Sequence, residues 1–166
     1  MPDVKPIPEG FHTLTPTLVI KDADKAMKFY REAFGAEDLM RIAGPSDSVL
    51  HAEMKIGNSI FMLGEEWPGH PVQSPATVKG TTCTLNLYVN DVDAAHKRAL
   101  GAGAKEIMPP TDMFWGDRFS SVTDPYGHSW SLATHIKNMT PEECQKACDA
   151  WMAEMAEGGA DGGETK

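Results

Sequence analysis

The sequence predicts an α+β protein built from two tandem βαβββ modules that form a cleft between curved mixed sheets, followed by a C-terminal helix. Two internal repeats support this prediction, and the copies of each lie about 70 residues apart. In the first, an Asp-x-Asp sequence opens an amphipathic helix that ends in Gly-Ala, at 22–36 and again at 91–104. In the second, a Gly-x-Ser turn leads into an apolar strand, at 56–63 and again at 126–133. Because both repeats recur in the same order, we infer one structural unit that is used twice.

The first module is predicted at residues 13–64, after an irregular lead-in at 1–12. Residues 14–20 are rich in β-forming residues, and Asp22 stands where it can cap the helix that follows. This helix repeats its apolar residues at spacings of three and four, and Gly35 then ends it. The remaining strands of the module are predicted at 37–43, 48–56 and 58–63.

Residues 65–80 are predicted to connect the modules as a linker loop, because Pro and Gly interrupt them and the hydrophobic periodicity lapses. The second module is predicted at 81–137, with Asp91 as the cap of its helix. Its strands are predicted at 81–89, 105–108, 119–123 and 129–136. Each module is thus expected to contribute four strands and one helix.

The C-terminal region is predicted to add a helix at 138–157 and a disordered acidic tail at 158–166. Thr140 and Glu143 match a capping box, with Pro141 at the first helical position. The helix carries one apolar stripe, made of Cys144, Cys148, Trp151, Met152 and Met155. This stripe either packs on the domain or packs across a homodimer, and the sequence leaves both interpretations open.

Composition and charge limit the classes of partner. The chain is 41% hydrophobic and 23% charged, values typical of a soluble globular protein. It has neither the apolar run of about 20 residues that a membrane span needs nor the apolar core of a secretory signal. The net charge is −9, and no basic patch offers a nucleic-acid site. We therefore expect a cytoplasmic protein with no membrane or nucleic-acid partner.

Five segments of the chain carry motifs of one protein family: residues 15–19, 29–36, 51–57, 113–118 and 122–130. Two of these motifs are Phe-Tyr-x-x-x-Phe-Gly-Ala from Phe29 and Asp-Pro-x-Gly from Asp124. With them the chain resembles the vicinal-oxygen-chelate superfamily, which includes glyoxalase I, extradiol dioxygenases, fosfomycin-resistance transferases and bleomycin-resistance proteins. The likeness is strongest to its PhnB-like branch. The resemblance implies a homodimer with a small-molecule cleft between the sheets.

The resemblance also implies a divalent metal in the cleft, held by His, Gln or Glu on the first and last strands of each module. In this sequence the corresponding positions are Thr15, Phe61, Thr84 and Ser131. None of these side chains is an imidazole or a carboxylate, the usual ligands of such ions. We therefore predict no cofactor. A displaced divalent-metal site remains an alternative, since His51, Glu53 and His135 would form a ligand set if their strands met.

The predicted function is the binding of a small organic molecule in the cleft, without catalysis. Hydroxyl groups would form its floor and aromatic side chains its walls, a pattern typical of small-molecule pockets. The predicted ligand-binding residues are Thr15, Phe61, Thr84, Phe114, Trp115, Arg118, Trp130 and Ser131. One alternative is a lyase or isomerase of the glyoxalase type that uses a metal or a histidine base, with His51, Glu53 and His135 as candidate catalytic residues. A second alternative is a non-catalytic assembly or stress protein with a vestigial cleft.

Overall fold

A computed structural model gives the fold of the protein and describes residues 4–158. Its strands are β1 (Thr17–Ile20), β2 (Glu37–Ala43), β3 (Val49–Ile56), β4 (Ser59–Glu65), β5 (Thr84–Tyr88), β6 (Lys105–Asp112), β7 (Asp117–Thr123) and β8 (Ser129–His135). Its helices are α1 (Ala23–Phe34), α2 (Pro75–Val78), α3 (Val92–Gly101) and α4 (Pro141–Gly158). The predicted acidic tail lies outside the described residues, apart from Gly158 at the end of α4.

The strands form two four-stranded mixed sheets with equivalent strand orders, β1–β4–β3–β2 and β5–β8–β7–β6. In each sheet the first and last strands of the module pair in parallel, and the other neighbours pair antiparallel. A parallel neighbour requires a crossover connection, which the helix of each module begins. The predicted α+β class, with two βαβββ modules and a C-terminal helix, is confirmed.

Two elements differ from their predicted boundaries. β6 continues to Asp112 through Pro109 and Pro110, well past its predicted end. Because β6 is an edge strand with an irregular register, the missing proline N–H groups interrupt no interior ladder. The predicted linker loop contains the one-turn helix α2, which Ser74 caps by accepting a hydrogen bond from the N–H of Thr77.

The helices α1 and α3 each follow an aspartate, but the two aspartates act differently. The side chain of Asp91 caps α3 by accepting a hydrogen bond from the N–H of Ala94 at 2.9 Å. Asp22 has a left-handed backbone, and its side chain makes no capping bond. The carboxylate of Glu65 instead accepts hydrogen bonds from the N–H groups of Asp22 and Ala23, both at 2.9 Å. The predicted capping role of the Asp22 side chain is therefore wrong, because a carboxylate at the end of β4 takes that role.

Both modules share one hydrophobic core on the helix side of the sheets. The ring of Phe34 in α1 packs on Trp130 in β8, with ring centroids 4.6 Å apart. The buried carboxylate of Asp124 accepts hydrogen bonds from the hydroxyl of Tyr30 at 2.8 Å and from Trp130 Nε1 at 3.0 Å. The helix side of each sheet is therefore buried between the modules, and the opposite face points away from this core.

The helix α4 begins with the predicted capping box. The N–H of Thr140 donates to Glu143 Oε2 at 2.8 Å, and the N–H of Glu143 donates to Thr140 Oγ1 at 3.2 Å. The ring of Trp151 packs on Phe114 of the same chain, with centroids 5.6 Å apart. Met155, further along the apolar stripe, is 59% exposed. None of the described helices carries an apolar stretch of membrane-spanning length.

Candidate functional site

A carboxylate lies between two thioethers on the outer face of the first sheet. In β3, Ala52 and Met54 belong to the core, so the alternation of the strand turns Glu53 to the opposite face. The strand register places Met40 of β2 on one side of Glu53 and Met62 of β4 on the other. These three side chains form the floor of the candidate site.

The N-terminal segment borders this floor, and together they line a cavity of about 580 Å³ that is open to solvent on one side. The residues of the segment that line the cavity are Pro6, Ile7, Pro8, Phe11, His12 and Thr13. His12 Nε2 lies 3.3 Å from the carbonyl oxygen of Asn58, and Thr15 Oγ1 donates to the carbonyl oxygen of His12 at 3.0 Å. We call this space the N-terminal cavity; its other walls are Thr15, Met40, Glu53 and Met62.

Glu53 is the acidic group of the N-terminal cavity. Its side chain is 17% exposed, and its Oε1 lies 3.4 Å from His51 Nε2. Within residues 4–158, no lysine or arginine forms a salt bridge with this carboxylate. The surrounding thioethers, prolines and aromatic ring are apolar. A groove of this size, with mainly apolar walls and a few polar groups that include Glu53, can hold a small organic molecule and orient it through a polar contact.

A second cavity of about 220 Å³ lies between the modules. Phe61 and Trp130, two of the predicted ligand-binding residues, line it together with Leu85 and Leu87 of β5. Both aromatic side chains belong mainly to the shared core, since only 5% of Phe61 and 1% of Trp130 is exposed. This cavity is smaller than the roughly 300 Å³ at which small-molecule pockets usually begin, and its lining contains no carboxylate, lysine or arginine.

The hydroxyl residues predicted on the second sheet do not line the N-terminal cavity. Thr84 is exposed, and its Oγ1 donates to Ser129 Oγ at 3.1 Å. Ser131 is 6% exposed and pairs with Asn86 in the register of β5 and β8. The structure therefore does not bring Thr15, Thr84 and Ser131 together into one floor.

The aromatic turn between β6 and β7 packs on the C-terminal helix. The ring centroid of Phe114 lies 5.0 Å from that of Trp115 and 5.6 Å from that of Trp151. Trp115 in turn packs on Phe119 of β7 at 5.7 Å. These two predicted ligand-binding residues thus form an aromatic cluster between the second sheet and α4, away from the lining of the N-terminal cavity.

Arg118, which the sequence analysis assigned to ligand binding, has two carboxylate partners in the chain. Its Nε and Nη2 donate to the two oxygens of Asp93 at 2.6 Å and 2.8 Å, and its Nη1 donates to Asp112 at 2.8 Å. These bonds raise the pKa of Arg118 and lower that of Asp93. The guanidinium therefore joins α3 to β6 and β7.

His135 takes part in a hydrogen-bonded group at the end of the second sheet. Its Nδ1 lies 2.7 Å from Asp117 Oδ1, and its Nε2 lies 2.9 Å from Asn138 Oδ1. The hydroxyl of Tyr88 donates to the other oxygen of Asp117 at 2.9 Å. The bond to Asp117, followed by the bond to Asn138, raises the pKa of His135, and Asp117 likewise raises the pKa of Tyr88. Since both partners of the imidazole are acceptors, its protonated form is favoured.

The family's metal positions do not fit a divalent cation in this chain. They are occupied by Thr15, Phe61, Thr84 and Ser131, of which Phe61 is packed in the core. In the alternative set, His51 and Glu53 are neighbours, but His135 lies on the second sheet. Within residues 4–158, no three His, Cys, Asp or Glu side chains are grouped closely enough to hold a metal ion.

Met40 and the N-terminal segment were not predicted to belong to the site. The period-two alternation of β3 and β4 indicates which residues share a face, and this signal was available for Glu53 and Met62. The alignment of Met40 with Glu53 was not available, because the register of β2 and β3 shifts next to Met40. The path of the N-terminal segment depends on tertiary contacts, since the segment has no regular secondary structure.

Known proteins are similar to this chain in sequence or in fold. Uncharacterized proteins of Mycobacterium bovis and Mycobacterium tuberculosis are 40% identical to the chain over 137 residues, which is 81% of this chain and 90% and 81% of theirs. The crystal structure of TioX from Micromonospora sp. ML1 is 28% identical with a TM-score of 0.61, and the match covers 75% of this chain and 99% of TioX. The PhnB protein from Bacillus cereus shares the fold, with 20% identity, a TM-score of 0.59 and coverage of 74% and 99%.

The family model of the glyoxalase/bleomycin resistance protein/dioxygenase superfamily matches residues 11–132. The match spans both βαβββ modules, from the residues before β1 into β8. The resemblance inferred from the sequence motifs is therefore confirmed at the level of the superfamily. The chain belongs to the glyoxalase/bleomycin resistance protein/dioxygenase superfamily.

Proposed function

We propose that this protein binds a small organic molecule in the N-terminal cavity, without catalysing a reaction. The observation that supports this function best is the row of Met40, Glu53 and Met62 beneath the N-terminal segment. The row combines apolar surface with a single shielded carboxylate, the combination by which small-molecule sites hold and orient their ligands. Membership of the superfamily supports the same class of function.

The N-terminal cavity is a better candidate than the cavity between the modules for two physical reasons. Its volume of about 580 Å³ lies within the usual range of small-molecule pockets, whereas about 220 Å³ does not. Its walls include an acidic group that can distinguish one ligand from another. Two residues that line the cavity between the modules, Phe61 and Trp130, belong to the core, and displacing them would cost packing energy.

A pair of methionine substitutions tests the proposed site. Met62→Trp fills the floor of the cavity with an indole, so we expect the affinity for a bound aromatic fragment to fall by about tenfold or more. Met155→Trp makes the same chemical change on the exposed face of α4 and should leave the affinity unchanged. Fragments are first identified by ligand-observed NMR on the wild-type chain, and their affinities are then measured by calorimetry on all three proteins. Equal loss of affinity in both variants, or in neither, would place the ligand elsewhere.

A histidine-based enzyme is the second candidate, and the bond of 2.7 Å between His135 and Asp117 favours it. An imidazole oriented by a carboxylate is a common general base. The nitrogen that would take a proton from a substrate, Nε2, is bonded to Asn138, so a substrate would have to displace this amide. Substrate turnover that His135→Asn abolishes would establish this enzyme and contradict a purely binding function.

The metal-dependent alternative has a separate test. Elemental analysis of the untreated protein and calorimetric titration of chelator-treated protein with Zn²⁺, Ni²⁺, Mn²⁺ and Fe²⁺ measure metal content and affinity. We expect no tight equivalent per chain, because the family's ligand positions carry hydroxyl and phenyl groups. One tight equivalent that is lost in His51→Ala would replace the proposed function by that of a metal enzyme.

We also propose that the chain forms a homodimer. β2 has no buried residue and exposes Leu39 and Ile42 at 47% and 45%. Exposed apolar residues on an edge strand are a common feature of surfaces that pair with another chain. Light scattering coupled to size-exclusion chromatography should give the mass of a dimer for the wild-type chain and of a monomer for Ile42→Lys. A monomeric wild-type chain would contradict this expectation.

A further inference from the structure

We propose that the N-terminal cavity selects organic cations, that is, protonated amines or quaternary ammonium groups carried on an apolar body. Glu53 supplies the counter-charge, while Met40, Met62 and Phe11 contact the apolar body of the ligand. This inference rests on the proposed function, because it names the class of ligand for the same site.

Glu53 has fewer hydrogen-bond partners than the other shielded carboxylates. Asp117 accepts hydrogen bonds from Tyr88 and His135. Asp124 accepts them from two side chains and two backbone N–H groups. Within the described part of the chain, Glu53 has one side-chain partner, an imidazole nitrogen at 3.4 Å, which is long for a hydrogen bond. Its carboxylate therefore retains acceptor positions that a cationic donor can fill.

The walls beside Glu53 suit the body of an organic cation. The thioethers of Met40 and Met62 are polarizable and adapt to irregular apolar shapes. The ring of Phe11 offers an aromatic surface, with which cations interact favourably. A hard metal ion such as Ca²⁺ instead requires six or more oxygen ligands, and the acidic lining of this cavity is a single carboxylate.

The burial of Glu53 and the negative charge of the chain both favour the binding of cations. Because the Glu53 side chain is only 17% exposed, its attraction for an ammonium group is screened less than that of a surface carboxylate. The chain carries a net charge of −9, of which −4 belongs to residues 1–139, so the charge of the sheet domain also favours cations over anions.

Three naphthalene probes that carry different polar substituents on the same ring provide the test. They are naphthylmethylamine, which is a cation, naphthylmethanol, which is neutral, and naphthoate, which is an anion. Calorimetry at moderate salt measures the affinity of each probe for the wild-type chain, for Glu53→Gln and for Glu154→Gln. Glu154 is exposed on α4, so its replacement removes the same charge far from the cavity.

In the wild-type chain and in Glu154→Gln, we expect the affinity for the amine to exceed that for the alcohol by at least about tenfold. Naphthoate should bind most weakly. In Glu53→Gln, the amine and the alcohol should bind with equal affinity. Met40→Lys provides an independent check, because the register places its ammonium group beside Glu53. This variant should lose the preference for the amine and still bind the alcohol.

Three results would overturn this inference. If the amine and the alcohol bind the wild-type chain equally, and Met62→Trp abolishes both, the cavity binds organic molecules without selecting cations, and the proposed function stands alone. If the amine is preferred but Glu53→Gln retains the preference, another group recognises the charge. Failure of all three probes to bind would contradict both the inference and the proposed function.

Discussion

Among single residues, His135 and Asp117 link the stability of the second sheet to pH. The hydrogen bond of 2.7 Å between them raises the pKa of the imidazole above its ordinary value of 6.5. A raised pKa in the folded state means that folding favours the protonated imidazole. The resulting stabilisation is fully present below the unfolded-state pKa and is lost as the pH rises through the folded-state pKa.

We predict that His135→Asn lowers the melting temperature more at about pH 5.5 than at about pH 8.5, because only the protonated imidazole forms the ion pair with Asp117. Thermal denaturation of the wild-type chain and the variant at both pH values measures this difference. His70→Asn, an exposed histidine in the connection between the modules, is the control and should show little change. An equal loss at both pH values would show that the imidazole acts through neutral contacts.

Some residues of the candidate site could be predicted from the sequence, and others could not. Thr15 and Glu53 were singled out from the sequence and both line the N-terminal cavity. Phe61 and Trp130 were assigned to a cleft but pack mainly in the shared core. An aromatic residue in a strand has the same sequence pattern whether it faces a core or a pocket, because both environments are apolar.

Among the secondary-structure elements, the last strand of each module caps the helix of the same module. The carboxylate of Glu65, at the end of β4, accepts hydrogen bonds from the N–H groups at the start of α1. The hydroxyl oxygen of Thr134, near the end of β8, accepts a hydrogen bond from the N–H of Val92 in α3 at 2.9 Å. The repeated unit therefore includes a tertiary contact as well as a sequence pattern. Such a cap satisfies N–H groups that have no partner within the helix.

We predict that Glu65→Ala lowers the free energy of unfolding by about 1 kcal/mol, the usual cost of losing a helix cap. Urea denaturation measures this loss, and hydrogen exchange should accelerate in the first turn of α1. Glu32→Ala, which removes a carboxylate from the exposed face of the same helix, should have a smaller effect. If the two variants lose equal stability, the carboxylate of Glu65 contributes no more than a surface ion pair.

For the whole molecule, stability depends on contacts that join the two modules. Tyr30 and Phe34 of α1 pack on Trp130 of the second module, and Asp124 binds both Tyr30 and Trp130. Arg98 of α3 also donates to a backbone carbonyl of α1 at 2.7 Å. Separating the modules would expose these aromatic rings to water and break the hydrogen bonds that Tyr30 and Arg98 make across the modules.

We predict that a fragment of residues 1–80 does not fold by itself. The apolar face of its helix α1 packs against residues of the second module, so the fragment alone would leave this face exposed to water. Its two-dimensional NMR spectrum should show narrow amide dispersion, and its thermal denaturation should lack a cooperative transition. Addition of a second fragment, residues 81–158, should restore dispersed signals. A cooperative transition of the first fragment alone would mean that each module is an independent folding unit.

The sequence by itself determined the class of the fold and the order of its main elements, because periodicity, turns and repeats are local properties of the chain. Its motifs also resemble those of the superfamily to which the chain belongs. Only the tertiary structure decided where the candidate site lies. The row of Met40, Glu53 and Met62 depends on strand register, and the opposite wall of the cavity depends on the path of an irregular segment. Both are set by contacts between residues distant in sequence, and no local pattern encodes the partners that such contacts bring together.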